Sequence, residues 1–152
     1  MDRYDSRPDT WEHIDTVRRL LGQVVDDLQQ RAQVHDRSKL VQPELAMFDE
    51  FTPKLRGTTY GSPEYKEALA GMREGLAHHY AANDHHPEHF EGGVHEMDLV
   101  QVMEMLADWK AATLRHADGN LLKSISLNAE RFGYDGQFER LLVNTASRLG
   151  WL

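Results

Sequence analysis

Five of the nine histidines, His78, His79, His85, His86 and His89, fall within a dozen residues. Imidazole is the commonest metal-ligating side chain, and with carboxylate it suits zinc, iron, manganese and cobalt. Outside that cluster, His13, the doublet His35-Asp36 and Asp108 offer the same donor types at wide spacing. Helical bundles build metal centres in this way, with ligands delivered from several helices into one core. The candidate ligands are therefore His13, His35, Asp36, His79, His86 and Asp108, holding one or two divalent transition ions (Mn, Co, Zn or Fe). A doublet can supply two ligands only where the chain turns sharply, so a helix must break at His35-Asp36. Glu104, one turn before Asp108, and Glu88, inside the histidine cluster, are acids that could orient a ligand or a water.

Plainer roles compete for the same residues. The cluster could be a solvated loop that charges below about pH 6.5, the unperturbed imidazole value. Asp36 could cap a helix, and Asp108 could pair with Arg18 or Arg115. His95 and His116, each without a like neighbour, read as surface residues. The choices between His78 and His79, and between His85 and His86, stay open, although spacing favours His79.

The elements that must position these groups are helical. Asp9-Thr10-Trp11-Glu12 has capping-box spacing and starts a helix near residue 9 or 10, which frays around Gln33. Its apolar stripe is Val17, Leu20, Leu21, Val24, Val25 and Leu28, and His13, four residues before Val17, prolongs that stripe inward. Pro43 takes the first turn of a second helix with Leu45, Phe48 and Phe51 as its apolar side, ended by Pro53 and Gly57. Ser62-Pro63-Glu64 starts a long third helix, on which Tyr65, Leu69, Met72, Leu76 and His79 share a face. Residues 83–96, with Pro87, Gly92 and Gly93, form an irregular loop lining something. Helix resumes near Met97 with Leu99, Val102, Met103, Leu106 and Trp109 buried and Asp108 at the edge, and helices at about 120–132 and 137–149 complete the fold. The expectation is one all-α domain of five to six helices over residues 1–152, with residues 1–8 a flexible arm.

Composition agrees with this reading. The chain has 152 residues, 40% hydrophobic and 28% charged, as in an ordinary globular domain. Its formal charge of -8 disfavours nucleic acid and anionic membranes as main partners. No apolar run is long enough for a membrane span. A polar N-terminus and zero cysteines point to the cytoplasm.

The order His13, His35-Asp36, His79, His86, Asp108 resembles the HD-domain superfamily, helical metal-dependent phosphohydrolases with a minority of di-iron oxygenases. That resemblance implies a helical bundle of HD type, a metal-activated water as nucleophile, Asp36 bridging two ions, and a nucleotide or related small phosphate ester as substrate. Lys39, three residues beyond Asp36, resembles a lysine that meets substrate or phosphate in such proteins, which makes Lys39, Asp36 and Glu88 the expected catalytic residues. More narrowly, His35-Asp36-Arg37-Ser38-Lys39 together with Asn83-Asp84-His85-His86-Pro87-Glu88-His89 is similar to a family of small bacterial and phage proteins of unknown function, over nearly the whole chain. Two other outcomes fit the sequence: a di-iron oxygenase on the same ligands, or a non-catalytic accessory protein with a structural metal. A homodimer is compatible with a domain of this size.

Overall fold

The computed structural model describes residues 4–56, 58–59, 62–115 and 118–152, and every regular element among them is helical. Seven α-helices follow in order: α1 (Arg7–Val34), α2 (Glu44–Arg56), α3 (Pro63–Gly71), α4 (Arg73–Ala82), α5 (Leu99–Thr113), α6 (Leu121–Phe132) and α7 (Gly136–Arg148). Short 3-10 turns lie at Arg37–Leu40, Pro87–His89 and Gly93–Glu96. No helix among the described residues is long and apolar enough to cross a membrane. The chain divides into two compact units, Met1–Val34 and His35–Leu152.

The first unit is α1. It begins at Arg7, so Arg7 and Pro8 of the expected arm are helical and Asp9 lies in the first turn instead of capping it. There its charge complements the amide-rich helix end. None of the residues of α1 is buried. The stripe Val17, Leu20, Leu21, Val24, Val25 and Leu28, with His13 four residues before it, runs along this one helix. Periodicity gives the helix an apolar side, but a side is buried only where another element covers it, and this unit contains no second one.

The core of the second unit is built by α5, α6 and α7. Met105, Leu106 and Ile125 are fully buried, packed with Val102, Leu121, Tyr134, Leu142 and Ala146. Burying each of the larger apolar side chains contributes about 1.5–3 kcal/mol. Capping fixes where these helices start. Asp98 accepts from the amides of Val100 and Gln101 while Gln101 returns a bond to the Asp98 backbone, Asn120 accepts from the Lys123 amide, and Asp135 accepts from Gln137 and Phe138. Leu99, expected inside, is 72% exposed in the first turn of α5.

The long third helix is interrupted at the buried Met72, which raises the helix count to seven. Glycines on either side let α2 approach closely. A Cβ on Gly71 would lie 2.6 Å from the Phe51 ring, and one on Gly75 would lie 2.0 Å from Met47 Sδ. The expected stop at Pro53 does not occur: proline lacks one amide donor, yet α2 continues to Arg56. Pro43 precedes α2 instead of occupying its first turn, and the first helical residue is the fully buried Glu44.

Candidate metal centre

Just before the 3-10 turn Arg37–Leu40 the backbone turns at Asp36, which has φ 57° and ψ 15°. Left-handed backbone is costly for most L-residues and tolerated by aspartate. The turn places the His35 and Asp36 side chains together, His35 Nε2 lying 3.5 Å from Asp36 Oδ2. This is the break that the doublet requires.

Asp36 Oδ1 faces three imidazoles. His79 Nε2 is 3.3 Å away and His85 Nε2 3.6 Å, and His86 Nε2 lies 2.9 Å from His79 Nε2. One donor atom from each of Asp36, His79, His85 and His86 lies within 4.8 Å of all the others. An ion held tetrahedrally at about 2.0–2.2 Å from each ligand needs donors about 3.3–3.6 Å apart, which the two Asp36 separations match. Asp36 Oδ1 and His85 Nε2 are moreover buried without a hydrogen-bond partner among the described residues. Buried polar atoms left without a partner are costly, and a cation between these two would remove that cost.

Asp36 Oδ2 faces a second group. His35 Nε2 lies 3.6 Å from Asp108 Oδ1, and His35, Asp36 and Asp108 again bring donor atoms within 4.8 Å. The Lys39 ammonium donates to Asp36 Oδ2, so a protein cation already stands beside this group. The two oxygens of one carboxylate thus serve two donor sets. These His, Asp and Glu side chains could hold a metal ion.

Two further acids hold the rings. Glu44 accepts from His78 Nδ1 at 2.7 Å, from His79 Nδ1 at 2.9 Å and from Ser38 Oγ at 2.8 Å. Glu104 Oε1 accepts from His35 Nδ1 at 2.7 Å and faces His85 Nδ1 at 3.2 Å. A carboxylate on Nδ1 fixes the tautomer and leaves the Nε2 lone pair free for a metal, the usual support of a ligating histidine. Glu104 and Asp108, four residues apart on α5, project from one face of that helix.

Electrostatics separate the three rings that face Asp36 Oδ1 from His35, which its neighbouring acids keep protonated at neutral pH, so that a metal there would displace its proton. Burial lowers the pKa of His79 and His85, and burial with the neighbouring imidazoles lowers His86 to about 3. All three rings are therefore neutral at neutral pH. His35 is raised to about 9, foremost by Asp108 and further by Glu104 and Asp36, against the effect of burial. Burial alone would raise Asp108, but His35 and Lys39 hold it at about 2. For Asp36 burial acts upward too, and Lys39 outweighs it.

Of the expected site residues, the structure brings together His35, Asp36, Lys39, His79, His86 and Asp108. It adds His85 to His86, so the choice within that pair resolves into both rings, and of His78 and His79 only His79 turns its Nε2 to Asp36. His13 belongs to the first unit, which contains none of the other candidate ligands. Glu88 pairs with Arg131 and stands outside the donor clusters among the described residues. Arg18 pairs with Asp15 on its own helix, and within the second unit Asp108 faces His35. His95 is exposed, and His116 lies outside the described residues. Glu44 escaped sequence reasoning because an acid in the first turn of a helix is ordinarily explained by the helix dipole. Its partners lie 34 and 35 residues away, with no periodicity to link them.

Two cavities flank the centre. One, of about 300 Å³, has His86, Tyr80, Trp109, Phe132 and Asn128 in its wall. The other, of about 410 Å³, lies against Lys39.

No curated protein and no solved structure matches the chain. One family model does, described as a family of unknown function, DUF5662, and it spans residues 2–148, which include every residue of the two donor groups. With nearly its whole length matched, the chain belongs to the DUF5662 family.

Proposed function

We propose that this protein is a metal-dependent phosphohydrolase of HD type, acting on a nucleotide or related small phosphate ester at a centre of one or two divalent transition ions. The carrying observation is the division of Asp36: Oδ1 toward His79, His85 and His86, Oδ2 toward His35, Asp108 and Lys39. A divalent ion bound there would acidify a water toward neutral pKa and polarise a phosphoryl oxygen.

The protein's own groups supply the remainder. His79, His85 and His86 are neutral at neutral pH and need no deprotonation to act as ligands. Glu44 and Glu104 keep the imidazole rings aimed at Asp36. The Lys39 ammonium is a compact charge on a flexible stem, and it can leave Asp36 Oδ2 to meet phosphoryl oxygens as charge develops on them. The cavity beside His86, with Tyr80, Trp109 and Phe132 in its wall, offers an aromatic surface for the organic part of the ester. Glu88, paired with Arg131, has no part in this reading.

The test is metal analysis of protein purified without chelator, followed by assay of nucleotides and an aryl phosphate with added manganese, cobalt or zinc. Stoichiometric metal and phosphate release are expected. Asp36→Ala should retain its helical circular dichroism and lose about a hundredfold or more of the rate. An unchanged rate in that variant would end the proposal, and iron with oxygen uptake but no phosphate release would replace hydrolysis by oxidation.

A further inference from the structure

The recess against Lys39 has an unusual charge for a protein of net charge -8. Lys39, Arg56 and Arg115 all line it, from the 3-10 turn, the end of α2 and the residues after α5, and Asp49 is the one carboxylate among the described residues of its wall. Lys39 is anchored on one side by Asp36 Oδ2 and lies 5.0 Å from the centre of the Phe48 ring. Arg56 and Arg115 form neither an ion pair nor a side-chain hydrogen bond with any described residue. Two guanidinium groups from separate elements are thus brought to one recess, neither of them ion-paired with Asp49 or any other described acid.

Like charges gathered in this way repel, and an anion between them reverses the sign of that interaction. Guanidinium presents a planar fork of N–H donors that matches a phosphoryl group with two hydrogen bonds at once. The volume, about 410 Å³, is that of a small-molecule site. A nucleic acid backbone would need a longer basic track, which the overall negative charge does not supply. Lys39 belongs to both places, since it bonds the Asp36 carboxylate and also lines the recess.

We propose that this recess binds a second phosphoryl group, so that the substrate is a small molecule carrying two: one at the metal centre, the other held by Arg56 and Arg115 with Lys39 between them. The placement of the first group rests on the hydrolase reading above. The recess itself does not, because its cations are present with or without a metal.

Calorimetric titration with inorganic pyrophosphate separates the two. In metal-free protein under chelator, pyrophosphate should bind more tightly than orthophosphate, and binding should weaken as salt is raised. The double variant Arg56→Gln/Arg115→Gln should weaken it about tenfold or more, Arg115→Gln alone should act in the same direction, and Arg140→Gln on α7 should bind as wild type does. With manganese present, pyrophosphate should bind more tightly again if the centre also takes a phosphoryl group. Loss of only this last increment would count against the hydrolase reading and leave the recess upheld. Undiminished binding in both arginine variants would overturn the recess, as would no pyrophosphate binding in any form. Malonate binding as tightly as pyrophosphate would overturn its phosphoryl assignment.

Discussion

Glu44 is fully buried, and its charge is compensated by three donors, His78 Nδ1, His79 Nδ1 and Ser38 Oγ. The burial that would raise its pKa is outweighed by those bonds, so the acid stays ionised where an uncompensated carboxylate would not. Its effect on a metal is transmitted through one ring, since holding His79 Nδ1–H leaves His79 Nε2 as the lone pair facing Asp36. Glu44→Gln keeps a single acceptor oxygen, so His78 Nδ1 and His79 Nδ1, which bond different oxygens of Glu44, can no longer both be satisfied. Affinity for zinc or manganese should fall about 10- to 100-fold, read by competition with a chromogenic chelator. Equal affinity in the variant would mean that the His79 ring is held by other contacts. Glu104 stands in the same relation to His35 and His85, from the opposite side of the cluster.

Helix α5 is the element with two duties. Val102, Met105 and Leu106 lie in the core shared with α6 and α7, while Glu104 and Asp108 leave the helix on another face toward the metal centre. A site backed by a packed core resists displacement, because close-packed interiors yield little without loss of contact energy. Tyr134, in the turn between α6 and α7, ties that core by donating its phenol to the Ile125 carbonyl. Burial foremost, and the charge of Glu139 second, raise the phenol above its ordinary value of 10.0. The folded state then keeps a proton that the unfolded chain releases, so this contribution is complete below about pH 10 and is lost as the pH rises beyond it. Urea unfolding between pH 8 and 11 should show wild type losing stability above about pH 10. Tyr134→Phe should start about 1 kcal/mol lower and fall less steeply, and an equally steep fall would show that Tyr134 does not carry the effect.

At the scale of the molecule, an ion held by the first group would join three stretches of chain, the turn at 35–36, α4 and the loop at 85–86, and one held by the second would tie that turn to α5. The unfolded chain does not hold these ligands together, so binding to the native state adds to its stability, by about 2.7 kcal/mol when the free ion is at a hundred times its dissociation constant. The centre also gathers Asp36, Glu44, Glu104 and Asp108 in a protein of net charge -8, where added positive charge relieves repulsion. Thermal unfolding should therefore shift upward on addition of manganese, cobalt or zinc and return on chelation, with no shift in Asp36→Ala. A wild-type midpoint that ignores every divalent ion would remove the metal centre from consideration.

Periodicity and punctuation in the sequence determined the all-helical class, the starts of α6 and α7 to within a residue, and the need for a break at His35-Asp36. These are local properties, carried by spacing, capping residues and turn formers within one or two helical turns. Sequence could also nominate donor side chains, since imidazole and carboxylate are recognisable by type. Tertiary structure alone decided which of them meet: His85 joins His86, Glu44 reaches His79, and Glu88 goes to Arg131. It also gathered Arg56 and Arg115 at one recess. Convergence depends on how helices pack, through glycines such as Gly71 and Gly75 and the interruption at Met72, and packing geometry is not written in the period of any single helix.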